Sequence, residues 1–462
     1  MVSAVKRTLR TTGGMESLKK RYFYRQFFSI YIALVLQNVV TLSVNLTANI
    51  MLGAYGENAL SGVTAVNQIQ FVFQQLLLGL SDGLVIFGSQ YWGRKETGAM
   101  KRISAVAMYS GLLLAAVLSV LVSLYPEQAV GIFTTEEAII AEGTEYLNII
   151  RFTFVFFAIS QILWATLRMA AVVQVAFVMS AVTFIINCGL NYLLIFGNFG
   201  APRLGVTGSG IATLAARIIE CAAAIAYVLF WDKNLSVKIK DYLIFDLKIA
   251  KAYYKVAFPI LIAQGAWGLN TALQTVILGH MTAAAIAANS AASNLFLLVK
   301  SAASGAASTA SVLLGKTIGA GRLKQAKEYS VEMQKLFVVL GIGCGALLFF
   351  LRIPVLSLYD LQPETKQMAD TFLIILSVVC VGMSYQMPTN NGIIRGGGST
   401  GFAVRLDLIS TWLIVLPLSF FMAFAVNASP AVVVFCLNID QLFKCIPAYL
   451  KCNKGQWIKV LA

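Results

Sequence analysis

Five ionisable side chains stand where hydrocarbon should surround them. Lys300 lies in the run NLFLLVKSAASGAAS and Asp82 in LLLGLSDGLVIFG, while Glu220, Asp407 and Asp440 fall in three further apolar stretches. A charge at the middle of a bilayer is costly, so such groups face a partner or a wet cavity and often mark an ion or substrate path. Lys300 offers two chemistries. It is a fixed cation that sets the charge of a bound molecule, or a protonatable switch. The structural alternative is pairing with a carboxylate, or snorkelling to the interface. As a cation it disfavours a simple cationic substrate and favours an anionic or zwitterionic one.

The other charges carry their own alternatives. Arg217 precedes Glu220 by three residues and Lys444 follows Asp440 by four. Both spacings put the partners on one helix face, which is mainly a structural solution, with ion coupling as the alternative role. Asp407 stands one turn inside its span, close in sequence to Arg395 and Arg405; it reads as an ion pair closing an inner gate. Arg151 and Arg352 read as snorkelling residues near span ends. His280 is the only histidine and falls at a span end, where a wet loop edge or a pH sensor would suit it. Uncharged polar groups within the spans are expected to line a path: Asn45, Asn49, Asn187, Asn191, Gln264 and Asn270. Helix–helix hydrogen bonding is the plainer role for them. Trp267 could stack on flat apolar molecules.

Helices crossing a membrane must position these groups. The chain is 58% hydrophobic and only 12% charged, against about a quarter charged in a soluble protein. A spanning helix needs roughly 20 mostly apolar residues. Twelve such runs are legible: 27–52, 61–88, 103–125, 146–167, 172–196, 208–231, 257–279, 284–312, 333–358, 367–390, 402–425 and 430–449. Pro259 and Pro417 lie in or at the edge of spans and could permit bending. The expected fold is an all-α membrane protein of twelve helices in two six-helix lobes.

The halves echo each other. Shifted by 226 residues, Leu52-Gly53 falls on Leu278-Gly279, Ala59 on Ala285, Ala65 on Ala291, Gly93 on Gly319 and Lys101 on Lys327. With one extra residue Arg168 falls on Arg395. An even number of spans per half points both repeats the same way, related by a pseudo-two-fold along the membrane normal, with a cavity between them. A hydrophobic chain of two equivalent halves reads first as a transporter. The same shift makes Gln74 the mate of Lys300. Asp82 stands eight residues beyond Gln74, so ~12 Å further along the helix, and direct contact with Lys300 is not expected. Asp82 reads as a proton site or inner-gate group, or as a hydrogen-bonded interior aspartate beside Ser81 and Gly83.

The formal net charge is +15, but its distribution speaks for topology. With the N-terminus in the cytoplasm, segments 1–26, 94–102, Arg168, 232–255, 316–335, 395–405 and 444–462 lie inside and hold 29 of the 35 Lys and Arg. That bias places both termini in the cytoplasm and allows contact with anionic lipid. It gives no reason to expect nucleic acid. The expected divisions are a basic N-terminal segment 1–26, lobes 27–231 and 257–449, an interfacial connector 232–256 and a tail 450–462. No cleaved signal peptide is read in 1–26. Seven cysteines, odd in number and without metal-ligand spacing, read as small hydrophobes.

Several stretches resemble the multidrug and toxic compound extrusion (MATE) family of prokaryotic type. NIMLGAYGENALSGVTAVNQI and the run to SQYWGRKETGAMKR look like its first helix pair, and LNYLLIFGNFGAPRLGVTGSGIATLAARIIE like its fifth and sixth helices. AAAIAANSAASNLF with LLGKTIGAGRLKQAKE looks like its eighth helix and following loop, and GIIRGGGSTGFAVRLDLISTWLIVLPL like the start of its eleventh. The resemblance spans residues 25 to 460. It implies a monomeric exporter in the bacterial cytoplasmic membrane, moving amphipathic, often cationic compounds against inward H+ or Na+, with no other cofactor and no metal. The family's coupling carboxylates do not carry over: Ala48, Asn191 and Ser399 replace acids, and a seventh-helix Glu would fall near Gln264 or Trp267. Other carboxylates would then serve antiport, or coupling is altered.

No phosphate loop, HExxH or Ser/His/Asp set is present, so neither an ATP-driven pump nor a membrane enzyme is expected. The nearest rival is a flippase for a lipid-linked or anionic substrate from the same broader superfamily, toward which Lys300 points. A channel or scaffold fits the repeat less well.

Overall fold

A computed structural model describes residues 2–461 except 135, 243–245, 280, 358–361 and 455; side chains are described from Lys20 onward, other than 45, 239, 272, 275–276, 279, 283 and 286–287. His280 and the side chain of Asn45 therefore lie outside the described residues.

The chain is a bundle of long helices. In the first half they are α1 (Lys20–Tyr55), α2 (Glu57–Arg94), α3 (Thr97–Leu124), α4 (Glu137–Ile150 continued by Thr153–Met169), α5 (Gln174–Phe196) and α6 (Gly205–Trp231). The second half holds α7 (Leu247–Gly279) and α8 (Ala283–Gly319). It continues with α9 (Leu323–Leu356), α10 (Pro363–Ile394), α11 (Thr400–Ala425) and α12 (Pro430–Asn453). They coincide with the twelve expected spans, most of them longer than hydropathy alone marked; among the described residues ten are long and apolar enough to cross a membrane, eleven with the bent pair of α4 taken as one. Helical hydrogen bonds continue past the apolar run where Lys, Arg and Gln can reach water.

Leu113 on α3, Ile185 on α5 and Ile342 on α9 face outward, as lipid-facing residues do. Lipid tails are as apolar as leucine, so helices meet where small residues let backbones close in. The inner stretch of α8, with Ala303, Ala306, Ala307 and Ala310, is buried accordingly.

Three expectations need correction. The connector does not run to residue 256, because α7 begins at Leu247. Asp246 starts that helix by accepting from the backbone N–H of Lys248 and Ile249 at 3.0 and 3.2 Å, which is an N-cap interaction. The fourth span begins well before residue 146, at Glu137, and bends by 52° at Arg151-Phe152. The expected tail 450–462 begins inside α12, which runs to Asn453, and residues 456–461 pack on the bundle. Trp457 is wholly buried, Lys459 donates to Gly397 O at 2.7 Å, and Leu461 donates to Gln90 Oε1 at 2.8 Å.

The lobes meet along a seam at the end of the bundle that carries Lys20 and Leu461, called here the terminal end. A Cβ on Gly79 would stand 2.8 Å from Leu261 Cα, and one on Gly83 only 2.6 Å from Ala257 Cβ, so α2 and α7 touch backbone to backbone. A Cβ on Gly93 would strike the carbonyl of Lys316, and one on Gly319 the carbonyl of Gln90. Gln90 and Lys316 are themselves 226 residues apart, as Gly93 and Gly319 are. Contacts that map onto each other when partners are exchanged are those of a two-fold axis.

Candidate functional site

Three of the five charges singled out from sequence, Asp82, Asp407 and Asp440, converge at the terminal half of this seam. Asp82 of α2 lies 4.0 Å from Arg395 at the end of α10. Arg395 lies 3.6 Å from Asp407 of α11. Asp407 accepts from Lys444 of α12 at 3.1 Å, and Lys444 lies 2.8 Å from Asp440 one turn earlier. Charges of alternating sign thus run from one lobe across the other. Asp82 is also within electrostatic reach of Arg168, so the two repeat-related arginines attend one carboxylate. Arg405, expected near Asp407, turns back to Gly401 O at 3.0 Å.

The backbone around this chain is loosened. Pro388 opens a π-helical stretch in α10, Pro388–Ile394, immediately before Arg395. A second, Ile409–Val415, follows Asp407 in α11. Proline removes a helical donor and crowds the preceding turn, and π turns inside α-helices recur at functional sites. From the first of them Asn390 reaches Asp407 at 3.4 Å. The oxygens of Asn390 and Asn391 and the Nε of Arg395 are buried without a hydrogen-bond partner among the described residues. Gln386 donates to Gln441 at 2.6 Å, and Gln441 to Asp440 at 2.9 Å, tying α10 to α12.

A cleft opens in the first lobe between α1, α2, α4, α5 and α6. Its lining includes Gln37, Ala48, Asn67, Gln70, Gln74, Gln161, Asn187, Arg217 and Glu220. Glu220 is the one carboxylate in that lining. It accepts from Arg217 at 2.7 Å and from Trp164 Nε1 at 3.4 Å, while the Arg217 guanidinium lies 4.6 Å over the ring of Phe157. Asn191 donates to Asn187 Oδ1 at 3.0 Å, and Asn67 reaches Asn49 at 3.4 Å. Asn191 and Asn187 thus bond within one helix, Asn67 and Asn49 join α2 to α1, and the Oδ1 of Asn191 has no partner among the described residues.

Lys300 sits elsewhere, with its Nζ 4.2 Å from the centroid of the Trp267 ring. Trp267 in turn meets Phe71 of the first lobe, ring centroids 5.7 Å apart. Asp82 is not its neighbour. Gln264 is half-buried one turn from Trp267 on α7, and Asn270 is buried with its carbonyl oxygen unpartnered among the described residues.

Sequence reasoning found most of these charges and the pairs Arg217–Glu220, Asp440–Lys444 and Asp407–Arg395. It missed Lys444 as the hub between two aspartates, and Arg395 as the link between lobes. An available signal for the two was PTNNG within an apolar span, a proline and two amides that need partners inside the bundle. Arg352 pairs with Asp370 at 2.9 Å rather than only snorkelling. Ser399 is buried at the start of α11. Among the described residues no cluster of His, Cys, Asp and Glu has the makings of a metal site.

The family model named MatE matches this chain twice, over residues 33–193 and 259–421, two matches that start 226 residues apart. A probable multidrug resistance protein NorM of Thermotoga maritima is 24% identical over 84% of this chain and 82% of its own length. The protein of the same name from Listeria innocua is 26% identical over 88% and 89%. Among solved structures, the Vibrio cholerae MATE transporter VcmN in its bent form superposes with TM-score 0.84 at 16% identity, covering 95% of this chain and 99% of that one. The eukaryotic MATE transporter AtDTX14 gives 0.83 at 18%, covering 95% and 97%. At such identities the structures speak for the fold, which is the same.

Proposed function

The chain belongs to the MatE family of membrane transporters, and from that premise we propose that it is a secondary multidrug efflux transporter working by alternating access. It is a multi-pass membrane protein and not an enzyme. The observation that carries the reading is the charge chain Asp82–Arg395–Asp407–Lys444–Asp440, which joins the lobes in the terminal half of the seam. Lobes held together at the terminal end would leave the cleft accessible from the other, and exchanging those contacts is what alternating access requires.

In this reading the terminal end is cytoplasmic, as the basic bias of its loops supports, and the state described faces outward. The working parts are the lobes 27–231 and 257–449. The chain acts as a monomer in the bacterial cytoplasmic membrane, with lipid around it. The substrate is a small amphipathic organic molecule, taken up in the cleft beside Gln74, Asn187 and Glu220. Inward H+ or Na+ supplies the driving force, received by carboxylates of the interlobe chain in place of those lost at Ala48, Asn191 and Ser399. Protonating Asp82 or Asp407 would weaken its hold on Arg395 and release the lobes.

Dye accumulation in cells expressing the chain, with proton and sodium gradients imposed in turn, tests this. Export that follows one gradient supports it. Accumulation equal to that of cells without the protein, under both gradients, refutes it and favours a flippase.

A further inference from the structure

The deep carboxylates all have cations other than Lys300. Asp82 faces Arg395, Asp407 faces Arg395 and Lys444, Asp440 holds Lys444, and Glu220 holds Arg217. The charges that act on Lys300 from a distance are Asp440 and Lys444, which are paired with each other at 2.8 Å. Among the described residues Lys300 has no ion pair and no hydrogen bond; its contact is the face of Trp267. A ring face satisfies one side of an ammonium that carries three N–H donors. An ammonium within a membrane bundle without a counter-ion is expected to have a functional role.

We propose that Lys300 and Trp267 form a subsite for the carboxylate end of an aromatic acid or zwitterion, the anion accepting from the Lys300 ammonium and the flat ring lying against Trp267 and Phe71. This rests on the transporter reading and names its substrate class. A free organic cation gains nothing there, because Lys300 already occupies the face on which such a cation would stack. The subsite also reports on the lobes, since Trp267 belongs to one and Phe71 to the other. An anion that draws the ammonium off the ring would disturb that contact, which gives the substrate a direct hold on the interlobe seam.

The test uses one xanthylium dye in two forms, the zwitterionic rhodamine with a free carboxylate and its cationic methyl ester. Anisotropy of each is titrated with the full chain in nanodiscs. The acid is expected to bind about tenfold or more tighter than the ester, the worth of one hydrogen bond to a charged group. Lys300→Gln is expected to abolish that preference and Lys300→Arg to keep it. Equal affinity in the unsubstituted protein, tighter ester binding, binding of neither dye, or a preference that survives Lys300→Gln overturns the subsite. Should Lys300→Gln not fold, the acid–ester comparison in the unsubstituted protein and in Lys300→Arg still decides. Gradient-driven export of the ester by proteoliposomes separates the two readings: with export and no acid preference only the subsite fails, and without export of either dye the transporter reading fails with it.

Discussion

Gly93 and Gly319 each press a bare Cα against the other's helix, Gly93 on the carbonyl of Lys316 and Gly319 on the carbonyl of Gln90. The internal repeat thus closes on itself in space, and the seam between lobes is a crossing of two equivalent helices.

That crossing has no room for a methyl group, because the atoms in the way are backbone. Gly93→Ala or Gly319→Ala is expected to disfavour the closed terminal end by about 1 to 3 kcal/mol, the usual cost of overpacking. Cysteines placed at the terminal end should become more reactive to a membrane-impermeant thiol reagent, and efflux should fall. Gly401, with nothing near its missing Cβ, is the control site, and Gly401→Ala should change neither.

Residues 456–461 strap the same seam, bonding Gln90 of one lobe and Gly397 of the other. Trp457 anchors the strap, its Nε1 donating to Cys452 O at 2.7 Å. Trp457→Ala should cost about 3 to 5 kcal/mol of local stability, as for other buried tryptophans. The expected outcome is faster hydrogen exchange over the strap and the end of α2, with helices remote from the seam unchanged.

Glu220 and Arg217 separate a structural from a coupling role. Removing only the carboxylate leaves a guanidinium uncompensated inside the bundle, which costs about 3 to 5 kcal/mol. Glu220→Ala should therefore lower the melting temperature sharply, and the added change Arg217→Met should recover most of it. If the recovered double variant still exports dye along the gradient, Glu220 is not the coupling group.

The connector gives a pH-dependent prediction. Lys101 lies 2.9 Å from Asp241 and Arg102 lies 3.0 Å from Asp246. Burial alone would raise the Asp241 carboxyl, but the backbone N–H of Lys238 and the bond and charge of Lys101 outweigh it and hold it below its ordinary value. A depressed carboxyl contributes stability that is complete above the unfolded value of about 3.9 and is lost as pH falls through the folded one. The clamp is thus intact at neutral pH. At neutral pH Asp241→Asn should speed tryptic cleavage after Lys233 and Lys238, whereas the unsubstituted chain should resist it.

Much of this was legible in the chain. Hydropathy located twelve spans because lipid forces each to be apolar, and the 226-residue shift located the two-fold because the contacts are reciprocal. Pairs on one helix, Arg217 with Glu220 and Asp440 with Lys444, followed from helical spacing alone. Nearness in sequence also gave Asp407 with Arg395, but spacing could not give pairings between helices remote in the chain. Lys444 serves Asp407 as well as Asp440, and Arg395 reaches Asp82 across the lobes, through angles that no one-dimensional pattern encodes. In the sequence Trp267 reads as a platform for a flat molecule, and the structure finds the ammonium of Lys300 on it. The strap was invisible because its polar residues read as an ordinary tail.

The most direct test of gating by the interlobe charge chain is gradient-driven dye efflux from proteoliposomes by Asp82→Asn and by the exchange Asp82→Arg with Arg395→Asp. The account predicts that Asp82→Asn folds, binds dye and no longer exports it along the gradient, and that the exchange restores part of the rate. Export by Asp82→Asn at the unsubstituted rate, under the same gradient, would contradict it.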